Sequence, residues 1–193
     1  GALRLPGLLL HVPGEVTLRD LAARFSLSRE GLELPEFSGR VGEGLFRGRL
    51  GVEFGSLLDG PVAAYSGRVE AAGLDVPKLA AAVSPRVEMR SGTGGGWVEF
   101  HGKGSDLAGL RGRGQTVLER ADLGGVPWIR AVMDFLGLGD LGYFDVTSAY
   151  DLRGAVVYVR EAKLAAMLFA GAVEDDPPAY MDLENSTIRA SVV

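Results

Sequence analysis

Apolar and polar residues alternate along most of the chain with a period of two. Between 46 and 54 the even positions are Phe, Gly, Leu, Val and Phe, and the odd positions are Arg, Arg, Gly and Glu. Because successive side chains of a β-strand point to opposite faces, this pattern predicts a strand with one apolar face. About a dozen such runs are bounded by turn-forming residues. They are 25–28, 32–34, 46–54, 65–71, 87–90, 97–101, 112–119, 145–152, 156–160, 163–173 and 188–192.

Two segments have helical spacing instead, and each carries proline in its first turn, where the missing N–H costs nothing. The segment 76–83 follows Asp75 and places apolar residues three and four positions apart. The segment 126–136 repeats that spacing and ends at Gly137. We expect both helices to lie across a sheet face with their apolar sides inward.

The chain also resembles itself. Residues 69–83 align with 118–132, and both segments contain Glu followed by a Val-Pro pair. A second match sets the strands within 25–50 beside those within 150–173, although any antiparallel meander gives some matches of this kind by chance. Together the matches favour repetition. The prediction is a single β-rich domain over 1–193, divided into two repeated units at about 1–84 and 85–193.

Composition narrows the functional classes. A hydrophobic content of 47% is enough for a sizeable core, and the absence of cysteine excludes disulfides and thiolate chemistry. The net charge is −5 and lysine and arginine are scattered, which argues against a nucleic-acid partner. No run approaches the roughly 20 apolar residues that span a bilayer as a helix.

For each candidate catalytic or ligand-binding motif, a structural interpretation is favoured over a functional one. The glycine-rich segment 91–97 lacks the Gly-Lys-Ser/Thr of a phosphate loop and is followed by a strand, so a hairpin tip is favoured. His11 and His101 have no partners at metal-ligand spacing. The acidic segment 174–184 contains two prolines and lacks the ligand pattern of a calcium loop. We predict no catalytic residue, no metal and no cofactor, with an enzyme on a β-scaffold as the least favoured hypothesis.

The order of motifs in the second half resembles a known family. A Leu-Arg-Gly-Arg-Gly strand and a Val-Pro helix lie within 110–129, and an aromatic-led strand at 144–154 is followed by Val-Tyr-Val at 157–159. This resembles the C-terminal region of AsmA-like proteins, relatives of TamB and the bridge-like lipid transfer proteins, in which a G-x-G strand precedes an (I/V)-P helix. The stretches 18–54 and 67–79 look like the preceding unit of that family.

The resemblance implies a long curved antiparallel sheet that forms a groove or half-barrel of repeated units, with two short amphipathic helices and an apolar inner face. It implies a periplasmic protein of the cell envelope, anchored to the inner membrane through a segment not present in this chain. The chain departs from the family at 174–180, where Glu-Asp-Asp-Pro-Pro-Ala-Tyr replaces a strand–turn–strand closure.

Two functions follow as hypotheses. In the first, a non-enzymatic domain contacts or conducts lipid acyl chains, because two short helices are too few to cover about a dozen half-apolar strands. In the second, a scaffold module with a closed core binds proteins only, through its edge strands. Alternation assigns the lipid-groove candidates. They are Phe46, Leu50, Val52, Phe54, Val98, Phe100, Val117, Leu164 and Leu168.

Overall fold

The computed structural model describes the backbone of residues 1–11, 15–55, 64–83, 89–104, 107–122, 143–166, 169–173, 179–182 and 187–189. Side chains are described at 1–4, 17–55, 64–81, 89–104, 108–122 and 143–165. The described strands are β1 (Ala2–His11), β2 (Glu15–Leu27), β3 (Gly31–Val41), β4 (Gly44–Glu53), β5 (Ala64–Asp75), β6 (Thr93–Lys103), β7 (Arg111–Ala121), β8 (Phe144–Arg153), β9 (Val156–Ala166), β10 (Phe169–Val173), β11 (Ala179–Asp182) and β12 (Thr187–Arg189). One helix, α1 (Val76–Val83), and a 3-10 turn at Leu107–Gly109 complete the described elements.

The strands form one antiparallel sheet in chain order from β1 to β9. Beyond β9, the strand β11 pairs with Val156–Val159 and then with β12, while β10 pairs with the other half of β9. Among the described residues, β1 pairs only with β2, so the sheet is open. The prediction of a mainly β protein with an antiparallel sheet is confirmed.

Several strand assignments differ from the sequence prediction: β2 and β3 extend well beyond the predicted runs 25–28 and 32–34, and β11 was not predicted. β1 was not predicted, because Pro6 and Gly7 break its alternation and an apolar run follows them. The separate strands predicted at 156–160 and 163–173 are wrong: β9 continues through Val156–Ala166. A bulge at Arg160 shifts the register against β8, and so reverses the apparent phase of the pattern without ending the strand.

Helix α1 begins where the sequence predicts it. The Lys78 N–H donates to Oδ1 of Asp75 at 3.2 Å, so Asp75 caps the first turn. The Lys78 ammonium also pairs with Oδ2 of Asp75 at 2.7 Å. Val76 is buried, and α1 contacts β5 and β2, so the helix crosses one end of the sheet.

Other predicted segments are partly or wholly beyond the described residues. The second helix, predicted at 126–136, lies outside them. Of the strand predicted at 87–90, Met89 and Arg90 are described and lie outside any strand.

The described part of the chain has a small, local core. Ala121 at the end of β7 is fully buried, and Phe144 at the start of β8 is 4% exposed. Four partly buried side chains pack around this pair: Met89, Leu118, Val146 and Leu164. The other described strand side chains are half-buried or exposed, as expected of a single-layer sheet.

Candidate ligand-binding face

The strand register sorts the side chains into two faces, because residues opposite each other in an antiparallel pair lie on the same face. One face, here called the apolar face, carries mostly aliphatic and aromatic side chains and glycine. It includes Leu34, Phe37, Phe46, Leu50, Val52, Tyr65, Val69, Val98, Phe100, Leu118, Val146, Tyr150, Leu152, Val157, Val159 and Leu164. The opposite, polar face carries the arginine and glutamate side chains of the same strands.

β3 and β4 each carry a phenylalanine that stands opposite a glycine of the other strand, an arrangement called here the aromatic–glycine exchange. Phe37 stands opposite Gly48, and Phe46 stands opposite Gly39. Each ring lies over the opposite glycine: a Cβ built on Gly48 would be 2.5 Å from Cζ of Phe37, and one built on Gly39 would be 2.6 Å from Cζ of Phe46. The two ring centroids are 6.4 Å apart and tilted by 56°. The rings therefore lie along the sheet in space that only glycine leaves open.

The same exchange recurs between β5 and β6. Tyr65 stands opposite Gly102, and Phe100 stands opposite Gly67. A Cβ on Gly102 would be 2.5 Å from Cζ of Tyr65, and a Cβ on Gly67 would be 2.7 Å from Cζ of Phe100. The ring centroids are 6.5 Å apart and tilted by 53°. Two strand pairs thus share one arrangement, built from four copies of an aromatic-x-glycine tripeptide.

Between β7 and β8 both glycines belong to the same strand. Gly112 and Gly114 stand opposite Leu152 and Tyr150. A Cβ on Gly114 would be 2.5 Å from Cζ of Tyr150, so this ring too covers backbone. Aromatic rings thus cover backbone glycines at five positions of the apolar face between β3 and β8.

Charge is segregated from the apolar face. At its paired positions with described side chains, from β2 to β9, this face carries no Asp, Glu, Lys, Arg or His. Apart from α1 at one end, no described element packs across it. Uncharged surfaces of this width are typical of binding sites for apolar partners, which makes this face the candidate site.

The polar face is a network of paired charges. Arg47 and Arg68 hydrogen-bond the Glu70 carboxylate at 2.9 and 3.0 Å. These bonds, with the one from Arg47 the stronger, hold the pKa of Glu70 below its usual range. The Arg68 guanidinium lies 4.5 Å from the ring centroid of Trp97, whose indole N–H donates to Gln115 at 3.3 Å. This network favours a solvated structural surface.

A depression of about 880 Å³ lies on this polar face. It is lined by Ser38, Arg40, Leu45, Arg47, Glu70 and Trp97, among others. Among the described residues that line it, Phe46 is the one predicted lipid-groove residue, and most of the lining belongs to the polar face. The apolar face is thus an open surface in the described part of the chain.

The sheet brings together six of the nine predicted groove residues. Phe46, Leu50 and Val52 lie on β4, Val98 and Phe100 on β6, and Leu164 on β9, all on the apolar face. Three were predicted to join them and are not placed there by the described structure.

The prediction that Val117 lies in the apolar groove is wrong, because its partners Gly95 and Thr147 place it on the polar face. Gly112, Gly114 and Thr116 occupy the apolar-face positions of β7 before Leu118, so over this stretch the bulkier residues lie on the polar face. Phe54 follows the end of β4 and is 46% exposed. Leu168 lies outside the described residues.

Phe37, Tyr65 and Tyr150 belong to the same surface and were not among the predicted groove residues. Their signal in the sequence is the glycine two positions from an aromatic residue, or the G-x-G opposite one, read together with strand pairing. The pattern is visible only when two strands are aligned.

Metal chemistry finds no support where side chains are described: no three His, Asp or Glu residues cluster there as ligands. Within the same portion of the chain, no helix is long and apolar enough to cross a membrane. Comparison with protein-family models, curated proteins and solved structures finds no match for this chain.

Proposed function

We propose that this chain is a non-enzymatic domain whose apolar face binds lipid acyl chains. The observation that carries the proposal is the uncharged surface that runs across strands β2 to β9. Among the described residues, α1 and Met89 pack on this surface, both at one end. Such a surface costs free energy while it faces water, and an alkyl chain removes it from water without needing a hydrogen-bond partner.

The size of the expected gain suits reversible binding. Each buried methylene contributes roughly 0.8 kcal/mol, so about ten contribute roughly 8 kcal/mol before ordering costs, which corresponds to near-micromolar affinity. The reciprocal rings over glycine favour this use, because they present flat hydrocarbon rather than protruding side chains. Selectivity among acyl chains is expected to be low.

The finer architecture is part of the proposal. We propose that the sheet curves into a groove or half-barrel, as in the AsmA-like proteins that the sequence resembles. One feature supports repeated units: the register shifts of β5 and β7 fall near the same end of the sheet, within the segments 69–83 and 118–132 that align in sequence. We also propose a periplasmic location and an inner-membrane anchor elsewhere in the full-length protein.

A protein partner is the second candidate function, and the edge strand β1 favours it. Its ten residues pair with β2 on one side only in the described part of the chain. An open edge of this length offers main-chain hydrogen bonds to a strand of another protein. In that case a partner, rather than lipid, covers the apolar face.

The test compares two matched valine substitutions. Val98→Asp places a charge on the apolar face of β6, whereas Val117→Asp places it on the polar face of the adjacent strand β7, and both valines are half-buried. The purified proteins are examined by native mass spectrometry, with extraction of any co-purified lipid and titration with a fluorescent fatty acid. Thermal unfolding checks that both variants fold.

Lipid that is lost from Val98→Asp and retained by Val117→Asp supports acyl-chain binding. A clean apo mass for the unsubstituted protein, with no fatty-acid binding at tens of micromolar, overturns the proposal and favours the protein partner.

A further inference from the structure

Three hydroxyl groups interrupt the apolar face at one place. Thr116 of β7 stands directly opposite Ser148 of β8, and Tyr150 follows two positions later on the same face. Thr116 is therefore the direct cross-strand neighbour of Ser148 and the diagonal neighbour of Tyr150. We call Thr116, Ser148 and Tyr150 the hydroxyl patch.

The patch is enclosed by apolar positions. Leu118 and Val146 form the next pair toward one end of the strands, and Gly112 and Leu152 lie toward the other. Across β6, glycine stands opposite Thr116, so no side chain from that strand covers the patch directly. In the described part of the chain, the patch is therefore open to a ligand lying on the face.

The hydroxyls are available as neutral donors. Burial raises the pKa of the Tyr150 phenol, which keeps it protonated at physiological pH. The Ser148 hydroxyl has no hydrogen bond to another described residue. A half-buried hydroxyl without a partner is stabilised when it donates a hydrogen bond to an acceptor.

We infer that the hydroxyl patch hydrogen-bonds the carbonyl of an acyl ester whose alkyl chain lies on the apolar face. This inference rests on the proposed function. An ester carbonyl accepts hydrogen bonds and carries no charge, which matches three hydroxyls on a face that has no described cation at its paired positions. A carboxylate or phosphate placed there would lack a counter-charge and would lose its hydration.

The position of the patch leaves room for the chain. Four strand spacings separate β7 from β3, about 19 Å of sheet, and the rings over glycine line this path. An ester carbonyl at the patch thus lies at one end of a continuous apolar strip. Its alcohol part is free to point toward β8 and β9.

The experiment measures preference rather than affinity alone. Methyl laurate, tridecane and laurate anion displace an apolar fluorescent dye from the unsubstituted protein and from the double variant Ser148→Ala/Tyr150→Phe. We expect methyl laurate to bind about fivefold to tenfold more tightly than tridecane, as one or two hydrogen bonds allow. The double variant should bind both with the affinity of tridecane.

Thr147→Val is the matched control, because Thr147 lies on β8 on the polar face. It should keep the preference for the ester. Continued binding of tridecane shows that the double variant is folded and that its apolar face is intact.

Three results are decisive against the inference. An ester preference that survives in the double variant overturns it while leaving acyl-chain binding in place. Laurate anion binding more tightly than the ester overturns it likewise. Binding of none of the three compounds overturns the proposed function, and this inference with it.

Discussion

The ring of Phe100 lies over Gly67 of the neighbouring strand, so that a Cβ added there would approach its Cζ to 2.7 Å. The backbone oxygen of Arg49 would be 3.0 Å away on the other side. Tyr65 and Gly102 mirror the relationship two positions away on the opposite strands. Stability and binding on this face therefore depend on the smallest residue as much as on the largest.

Gly67→Ala should destabilise the sheet by about 1–3 kcal/mol, because the new methyl group displaces the Phe100 ring or separates β4 from β5. Urea unfolding followed by tryptophan fluorescence measures the change. Gly51→Ala is the control, since the nearest atom to its added Cβ, Ser66 Oγ, is 3.8 Å away. That variant should stay within about 1 kcal/mol of the unsubstituted protein. Equal losses in the two variants would contradict a role for ring packing.

Acid should weaken the polar network through Glu70. The pKa of Glu70 is lowered in the folded protein by its hydrogen bonds to Arg47 and Arg68, so its contribution is present above the unfolded value near 4.5 and is lost as pH falls through the folded pKa. Glu70→Gln should therefore flatten the decline in stability below pH 4.5. Chemical denaturation at a series of pH values measures the two slopes. Identical slopes would show that Glu70 is not coupled to folding.

Substitutions of the capping residue Asp75 can separate the contribution of its hydrogen bond to stability from that of its ion pair. Asp75→Ala removes both the bond to the Lys78 N–H and the pairing with its ammonium, and should cost about 0.5–2 kcal/mol. Asp75→Asn keeps an oxygen acceptor and should recover most of the loss, because an exposed ion pair contributes little. Thermal unfolding at low and high salt compares the two variants. If Asn recovers nothing at either salt concentration, the cap does not depend on the hydrogen bond.

The small core should be the most sensitive part of the described sheet. Phe144→Ala empties a site that is only 4% exposed and should cost about 3–5 kcal/mol. Its neighbour Tyr143 is 56% exposed, so Tyr143→Ala should have a far smaller effect. Hydrogen exchange of β7 and β8 amides reports whether the loss is local or global. Comparable effects of the two substitutions would mean that the Ala121–Phe144 contact does not stabilise the sheet.

The sequence predicted the strands wherever alternation was uninterrupted, because the period of two follows directly from strand geometry. The boundaries of α1 were equally accessible, since Asp75 and Pro77 are local signals. The face of Val117 could not be predicted, because the neighbouring apolar-face positions of β7 are Gly112, Gly114 and Thr116, and the two glycines stand opposite the rings of Phe100 and Tyr150. Which phase faces the apolar side is decided by the opposite strand, and no local pattern contains that information. β1 escaped prediction for a similar reason: pairing with β2 tolerates a proline at a sheet edge that local reading counts as a break.

The aromatic rings that lie over glycines of the opposite strand also fix the register of the strand pairs. Sliding β3 by one residue against β4 would bring Phe37 opposite an arginine position and leave both glycines uncovered, so misaligned pairings are penalised at two points at once. Yet β3, β4, β5 and β6 all carry the aromatic-x-glycine tripeptide. This packing therefore specifies how two strands align, but not which two strands pair. Which strands meet is then left to the short β3–β4 turn and to the connection that contains α1. Loosening either connection should yield swapped assemblies whose strands are still in perfect register.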